Sequence, residues 1–140
     1  MKPRNIIAIV LLALIAVGIY AWSEYQRTPP GADGLVAKES VSAVDLLKAF
    51  QADETAATAK YVGTTEQAVQ VSGSIRSMEP VDAGKVNVVL ETGEALAGVV
   101  CEFAEADVPK DWRSGATVSV KGICTGMLLD VVLVRCAAVE

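Results

Sequence analysis

Three cysteines are the residues of this 140-residue sequence whose type best suits chemistry: Cys101, Cys124 and Cys136. The last two lie in one apolar run, GICTGMLLDVVLVRC (residues 122–136). A structural zinc site needs four ligands, commonly in Cys-x2-Cys pairs, and these cysteines offer neither the number nor the spacing. A nucleophilic thiolate needs a nearby cation or a helix N-terminus, but Arg135 points away from Cys136 if both lie in a strand. We therefore predict no metal site and no catalytic cysteine.

The remaining titratable residues form no catalytic arrangement either. The chain contains no histidine, which removes the commonest general base and, with it, the Ser-His-Asp and Cys-His arrangements. Four carboxylates lie close in sequence without the spacing of a calcium-binding loop: Glu102, Glu105, Asp107 and Asp111. We interpret them as a solvated loop, and we predict a protein that is not an enzyme and holds no cofactor.

The charge distribution argues against a nucleic-acid partner. The chain has 12 Lys+Arg and 17 Asp+Glu. Beyond residue 27 it has 9 basic and 16 acidic residues, so that this part carries 9 − 16 = −7. Nucleic-acid binders usually present a basic face that displaces phosphate counterions. An acidic domain of this kind favours a protein, peptide or cationic partner instead.

An uncharged apolar run, Ile6 to Trp22, lies near the N-terminus. Its seventeen residues would form a helix about 25 Å long, near the lower limit for crossing a bilayer. Lys2 and Arg4 precede the run, which predicts a cytoplasmic N-terminus and an exported remainder. We therefore predict a single-pass membrane anchor (residues 1–25) with an exported domain. A cleaved signal peptide, ending near Ala16-Val17-Gly18, is the alternative, and a buried helix is a third.

Beyond the anchor we expect a Pro/Gly-containing linker at residues 26–40 and a folded domain at residues 41–140. The domain begins with a helical segment, residues 42–61, in which Ser42 opens a sequence that resembles a capping box. Gly63 suits the position just beyond the end of a helix. We expect one helix with a break, or two short helices, packed on the core through a stripe of apolar side chains.

Apolar residues then recur at every second position, which is the pattern of β-strands. Five such segments follow: residues 67–75, 86–91, 96–103, 117–125 and 131–139. Three strands in sequence, a polar crossing and two more strands fit a five-stranded Greek-key barrel of the oligonucleotide/oligosaccharide-binding kind, the OB-fold. We predict a mainly β fold with N-terminal helices, in which this barrel lies behind a transmembrane helix. An open α+β sheet is the alternative.

The order of short motifs in these segments resembles that of a known family. AKYVG is followed by VQVSGSI, VVLETGE, VVCEF and GATVSVKGICTGMLLDVVLVRC, over about residues 42–139. The most characteristic part is G-x-C-x-G…D-V-V-L…C, which begins at Gly122 and ends at Cys136. This order is similar to that of the tRNA_anti-like family, bacterial OB-fold proteins often found behind a membrane segment or a lipoprotein signal. The resemblance implies the fold and, together with the anchor, a periplasmic domain at a bacterial inner membrane. It leaves the activity open, because a fold does not determine function.

A disulfide suits these cysteines better than a metal, since the exported side of a bacterial inner membrane is oxidising. If the last two strands turn about Asp130, Cys124 and Cys136 lie directly opposite each other, with Cα atoms about 4.5 Å apart and within bridging range. The third and fifth strands of an OB barrel are also neighbours, so Cys101 with Cys136 is a rival pair. Three reduced cysteines that pack as small hydrophobic side chains are the remaining alternative.

Ligands of OB-folds usually contact the outer face of strands two and three. Outward positions of these strands include Asn87, Val89, Val100 and Glu102. This face is small, mixed and acidic, and it lacks the aromatic side chains on which bases stack. We predict that it binds a protein or peptide partner and that the chain is a non-enzymatic binding module. A nucleic-acid-binding OB protein is the alternative.

Overall fold

An apolar helix, α1 (Pro3–Tyr25), is the first element of the computed structural model, which describes residues 2–27 and 31–139. None of its residues is buried. Its 23 residues reach about 34 Å, slightly more than the hydrocarbon core of a bilayer. Length and composition therefore suit a membrane span, and a signal sequence near the N-terminus has the same properties.

The packed part of the chain begins earlier than predicted. A short 3-10 turn (Ala32–Gly34) is the next element after α1, and its Ala32 is fully buried. Strand β1 (Ala37–Ser42) then pairs in parallel with the first strand of the barrel. The predicted linker, residues 26–40, therefore includes residues that pack on the barrel, because backbone pairing with a neighbouring strand orders a segment that is too polar to indicate a strand by itself. Its residues 28–30 lie outside the described residues.

Two short helices follow β1, as predicted. Helix α2 (Ala43–Ala52) begins after Ser42, whose Oγ accepts a hydrogen bond at 3.1 Å from the backbone N–H three residues later. Helix α3 (Glu54–Ala57) begins after Asp53, whose carboxylate accepts the corresponding bond at 3.0 Å. Each side chain satisfies one backbone donor that the first turn of a helix leaves without an intrahelical partner. The two caps explain why the helical segment breaks between α2 and α3.

A π-helical turn (Thr58–Val62) completes the helical segment and leads to Gly63. The φ angle of Gly63 is 68°, a left-handed conformation that favours glycine, so the predicted end of the segment is confirmed. The buried side of α2 consists of Leu46, Leu47 and Phe50, which pack into the same core as the strands. The helical segment therefore covers part of the barrel interior.

Five strands form the barrel: β2 (Ala68–Val81), β3 (Lys85–Leu90), β4 (Val99–Ala104), β5 (Thr117–Met127) and β6 (Val131–Val139). They lie in the order β2-β3-β4-β6-β5, and β5 pairs with β2 to close the barrel. The first half of β2 pairs with β5 and its second half with β3, which lets one long strand join both sides. The predicted five-stranded OB barrel is confirmed, and the alternative prediction of an open α+β sheet is wrong. Strand β1 adds a sixth strand, which is parallel to β2.

Alternate side chains of the strands point inward and fill the barrel, as period-two patterning requires. The fully buried members of this core are Val69, Val71, Val88, Leu90, Val99, Cys101, Val120, Val131 and Leu133. The other alternate positions face outward and form the surface on which a partner can bind.

Candidate functional site

The cysteines lie in the barrel core, and their register differs from the predicted one. Strands β5 and β6 are antiparallel, but Cys124 lies opposite Leu133, three positions before Cys136. The turn is centred on Leu129, one residue earlier than predicted, and a bulge in β5 between Cys124 and Gly126 adds a further shift of one residue. A bulge places two residues of one strand against one of the other, so it displaces every pair beyond it. The prediction that Cys124 faces Cys136 is therefore wrong, and all three thiols are free.

Burial makes these thiols poor nucleophiles. Cys101 is fully buried, and Cys124 and Cys136 are nearly so. A hydrogen bond with Cys101, followed by burial, raises the pKa of Cys136, and burial raises the pKa of Cys124. The rival pair Cys101 and Cys136 is thus in contact without being bridged. Because the thiolate is the reactive form, these side chains act as core residues.

The four residues of the predicted binding face come together as two cross-strand pairs. Asn87 of β3 lies opposite Glu102 of β4, and Val89 lies opposite Val100. All four side chains are half-buried and alternate with buried core residues, which places them on the outside of the barrel. The structure therefore gathers the four residues on one continuous patch, as the strand periodicity predicts.

An apolar row of three valines crosses this patch. Val100 pairs with Val132 of β6 as well as with Val89, so the three side chains lie on three neighbouring strands. A Cβ atom added to Gly98 would lie 3.0 Å from Cγ1 of Val89, so this glycine lets the β3–β4 loop approach the row. Sequence reasoning missed Val132, because the register of β6 on β4 follows from barrel closure and from no local pattern.

A charged cavity of about 610 Å³ adjoins the patch. Lys85 Nζ lies 2.9 Å from Glu102 Oε1 at its rim. Arg135, which also lines the cavity, forms an ion pair with Glu66. Two basic and two acidic side chains line the cavity together with buried core residues: Lys85, Arg135, Glu102 and Asp107 beside Phe103 and Cys136. Since these charges balance, the cavity does not present a basic surface to a polyanion.

Arg76 fixes the β3–β4 loop (residues 91–98) beside the valine row. Its Nε donates to Glu91 Oε2 at 3.0 Å, and its Nη2 donates to the carbonyl oxygen of Glu94 at 2.7 Å. The hydrogen bond from Arg76, followed by one from the backbone N–H of Gly93, lowers the pKa of Glu91 to about 2. The loop is therefore an ordered part of the surface.

The model of the tRNA_anti-like family matches residues 1–138. The chain belongs to the tRNA_anti-like family. This tRNA_anti-like chain shares its fold with the crystal structure of a lipoprotein from Klebsiella pneumoniae subsp. pneumoniae MGH 78578 that is named as a candidate nucleic acid-binding protein. The TM-score is 0.56 at 18% identity, and the match covers 71% of this chain and 91% of that chain.

A second, weaker match of the tRNA_anti-like chain is to the crystal structure of the S. pombe Stn1–Ten1 complex. Its TM-score is 0.39 at 16% identity, with 54% of this chain and 60% of that chain covered. At such low identity, the similarity to the first structure indicates a shared fold alone. The TM-score of the second structure is too low to support a conclusion. No curated protein matches the chain.

Two loops of this tRNA_anti-like protein carry exposed leucines that the strand pattern did not single out. Leu96 lies in the β3–β4 loop, and Leu128 and Leu129 form the turn between β5 and β6. Leu96 begins the predicted third strand (residues 96–103), whereas Leu128 and Leu129 lie between the predicted fourth and fifth strands. The structure places all three outside the strands and exposed to solvent, so that the predicted start of the third strand at Leu96 is wrong.

Proposed function

We propose that this chain is a membrane-anchored, non-enzymatic binding module. In this proposal α1 crosses a bacterial inner membrane once, with a cytoplasmic N-terminus, and the barrel lies on the exported side. The apolar length of α1 and the basic residues Lys2 and Arg4 before it support the anchor and its orientation. The burial of the three thiols and the lack of histidine in the sequence support a non-enzymatic role.

The observation that carries the proposal is the valine row on the outer face of β3, β4 and β6. Val89, Val100 and Val132 are half-buried and lie next to each other on three strands. Polar side chains flank the row, with Asn87 opposite Glu102. An apolar centre with a polar rim is the usual composition of a protein–protein interface. A protein or peptide is therefore the partner that this face fits best.

A nucleic-acid partner is the second candidate, because the related lipoprotein structure is named for that function. Single-stranded nucleic acids bind through a basic groove and exposed aromatic rings. Here Lys85 already pairs with Glu102, and Phe103 is buried, with its ring 5.5 Å edge-on from that of Trp112. These features favour the protein partner over the nucleic acid.

Affinity capture from membranes tests the binding face. Full-length wild type and Val89→Glu/Val100→Glu are used as baits, and Val36→Glu serves as the matched control because Val36 is exposed outside the face. We expect specific partners to be lost with the double variant and retained with the control. Circular dichroism establishes that all three baits are folded.

An unchanged set of partners with the folded double variant would refute the proposed face. Filter binding of single-stranded oligonucleotides at low salt addresses the second candidate. Tight binding that is abolished by the same double variant would replace the protein partner with a nucleic acid.

A further inference from the structure

Three leucines at one end of the barrel are almost completely exposed to solvent. Leu96 is 92% exposed, Leu128 93% and Leu129 78%. Isolated exposed leucines are common on protein surfaces, but a contiguous apolar patch usually marks an interaction site. We call these three residues the leucine platform. Outside α1, the described residue of comparable exposure is Val36, which lies elsewhere, before β1.

Hydrogen bonds join the two loops that carry the platform. The backbone N–H of Gly98 donates to Asp130 Oδ1 at 2.7 Å, and the N–H of Val131 donates to the carbonyl oxygen of Gly98 at 3.1 Å. Gly98 follows Leu96 by two residues, and Asp130 follows Leu129 directly. The loop containing Leu96 is therefore tied to the turn containing Leu128 and Leu129.

Each loop is also fixed internally. Thr92 Oγ1 donates to the carbonyl oxygen of Ala97 at 2.6 Å, across the β3–β4 loop. In the other loop, the N–H of Leu128 donates to the carbonyl oxygen of Asp130 at 3.2 Å. Arg76 adds one hydrogen bond to the Glu94 carbonyl oxygen. Ordered loops display the leucines in one arrangement, which lowers the entropy lost when a partner covers them.

The charges beside the platform are acidic. Residues 91–98 and 127–131 contain Glu91, Glu94 and Asp130 and no lysine or arginine. Among the described residues, the base bonded into these loops is Arg76, whose guanidinium pairs with Glu91. Three carboxylates against one guanidinium leave this end of the barrel negative. A complementary partner is therefore apolar at its centre and basic at its edge.

We propose that the leucine platform docks an amphipathic polypeptide segment whose apolar side covers Leu96, Leu128 and Leu129 and whose lysines or arginines face Glu94 and Asp130. This inference rests on the proposed function and specifies its partner, because Gly98, which lies close to Val89 of the valine row, is also bonded to Asp130 beside the leucines. The same acidic rim disfavours an anionic lipid surface or a nucleic acid as the occupant.

Hydrogen exchange of the full chain in phosphatidylcholine nanodiscs tests the proposal. The probe is a short synthetic amphipathic helix built from leucine and lysine, and mass spectrometry reads the protection of residues 92–98 and 127–131. We expect protection of both loops on addition of the peptide. Leu96→Ser/Leu128→Ser/Leu129→Ser should raise the half-saturating peptide concentration by about tenfold or more, as loss of a central apolar anchor does.

Matched variants separate the apolar and the charged contributions. Val36→Ser removes an equally exposed apolar side chain elsewhere and should leave the half-saturating concentration unchanged. Glu94→Lys should raise it by about threefold at low salt, whereas Glu105→Lys, on an exposed residue outside these loops, should not. A leucine and glutamate peptide of the same pattern should protect neither loop.

Equal protection in wild type and the triple variant overturns the proposal, as does equal protection by the glutamate peptide. Protection of the loops by the nanodisc alone, compared with detergent, would identify lipid as the occupant and also overturn it. Failure of the leucine platform can be distinguished from failure of the proposed function. Loss of captured partners with Val89→Glu/Val100→Glu but no peptide protection refutes the platform alone, whereas unchanged capture refutes the binding face.

Discussion

Gly122→Ala should destabilise the barrel strongly although it adds only one methyl group. A Cβ atom built on Gly122 lies 2.6 Å from the Sγ of Cys136, and 3.1 and 3.2 Å from Cβ and Cδ2 of Leu133. The φ angle of Gly122 is outside the left-handed region, so an alanine meets no backbone strain there. The expected effect is therefore overpacking of the β5–β6 hairpin that closes the barrel. The contacts with Cys136 and Leu133 determine how much stability is lost.

The expected loss of unfolding free energy is about 2–3 kcal/mol, in the upper part of the range for overpacked cores. Carbon atoms in van der Waals contact are about 3.5–4.0 Å apart, so the sulfur must move by roughly 1 Å. Cys136 and Leu133 are both buried and cannot move into solvent. Strand β6 must shift to make room, and this shift disturbs its pairing with β4 as well.

Urea unfolding of the full chain in detergent measures the effect. Trp112 packs on Phe103 and reports on the barrel, and a Trp22→Phe background removes the signal of the apolar helix. Gly34→Ala is the matched control, because nothing lies within 4 Å of a Cβ there, and it should be neutral or slightly stabilising. Equal slopes of free energy against urea establish that the variants unfold in the same way.

A double variant isolates the sulfur contact. Cys136→Ala alone should cost about 1 kcal/mol for a small buried vacancy. In that background Gly122→Ala should cost only about 1 kcal/mol, since the contacts with Leu133 remain. If Gly122→Ala is as stable as Gly34→Ala, or costs the same with and without the Cys136 sulfur, the packing argument is refuted.

Two further predictions concern ionisation. The lowered pKa of Glu91, about 2 instead of 4.5, means that its ion pair with Arg76 contributes stability fully above pH 4.5 and loses it as the pH falls through about 2. Urea midpoints of wild type should thus fall across this window relative to Glu91→Gln, and parallel curves would contradict the assignment. The raised pKa values of Cys124 and Cys136, together with the burial of Cys101, predict that none of the three thiols reacts with a thiol reagent in the folded chain at mildly alkaline pH and that all three react after unfolding. Rapid labelling of any thiol in the native state would show that the core is more open than described.

The five barrel strands were predictable because their outer and inner positions differ in polarity at every second residue. The polar sequence of β1, AKESVS, carries no such signal, and this strand exists because β2 offers it an edge to pair with. Strand β2 continues to Val81, although its predicted end is residue 75. Its last residues are held by pairing with β3, and they are too exposed to show an alternation of apolar and polar side chains.

The candidate site shows the same difference. Positions that follow from local alternation were predicted, and positions that depend on the register of two strands were not. Asn87 and Glu102, like Val89 and Val100, were found because an outward position in a strand follows from alternation. The facing of Cys124 and Cys136 failed because the turn is centred on Leu129 instead of Asp130 and because a bulge between Cys124 and Gly126 shifts the pairing by one more residue. Sequence counting cannot detect a bulge that is needed only because the strand must bend to close a barrel.

Strand β1 also affects how copies of this chain can coexist at high local concentration. A closed barrel has no free sheet edge, but a sixth strand that pairs only with β2 restores one within the described part of the chain. Such an edge can recruit strands from other molecules and start fibril growth. Here it is only six residues long, and Lys38 on it is exposed while Glu39 forms an ion pair with Lys60. A charged, short edge resists strand addition, so proteins of this kind can crowd on one surface without assembling into a continuous sheet.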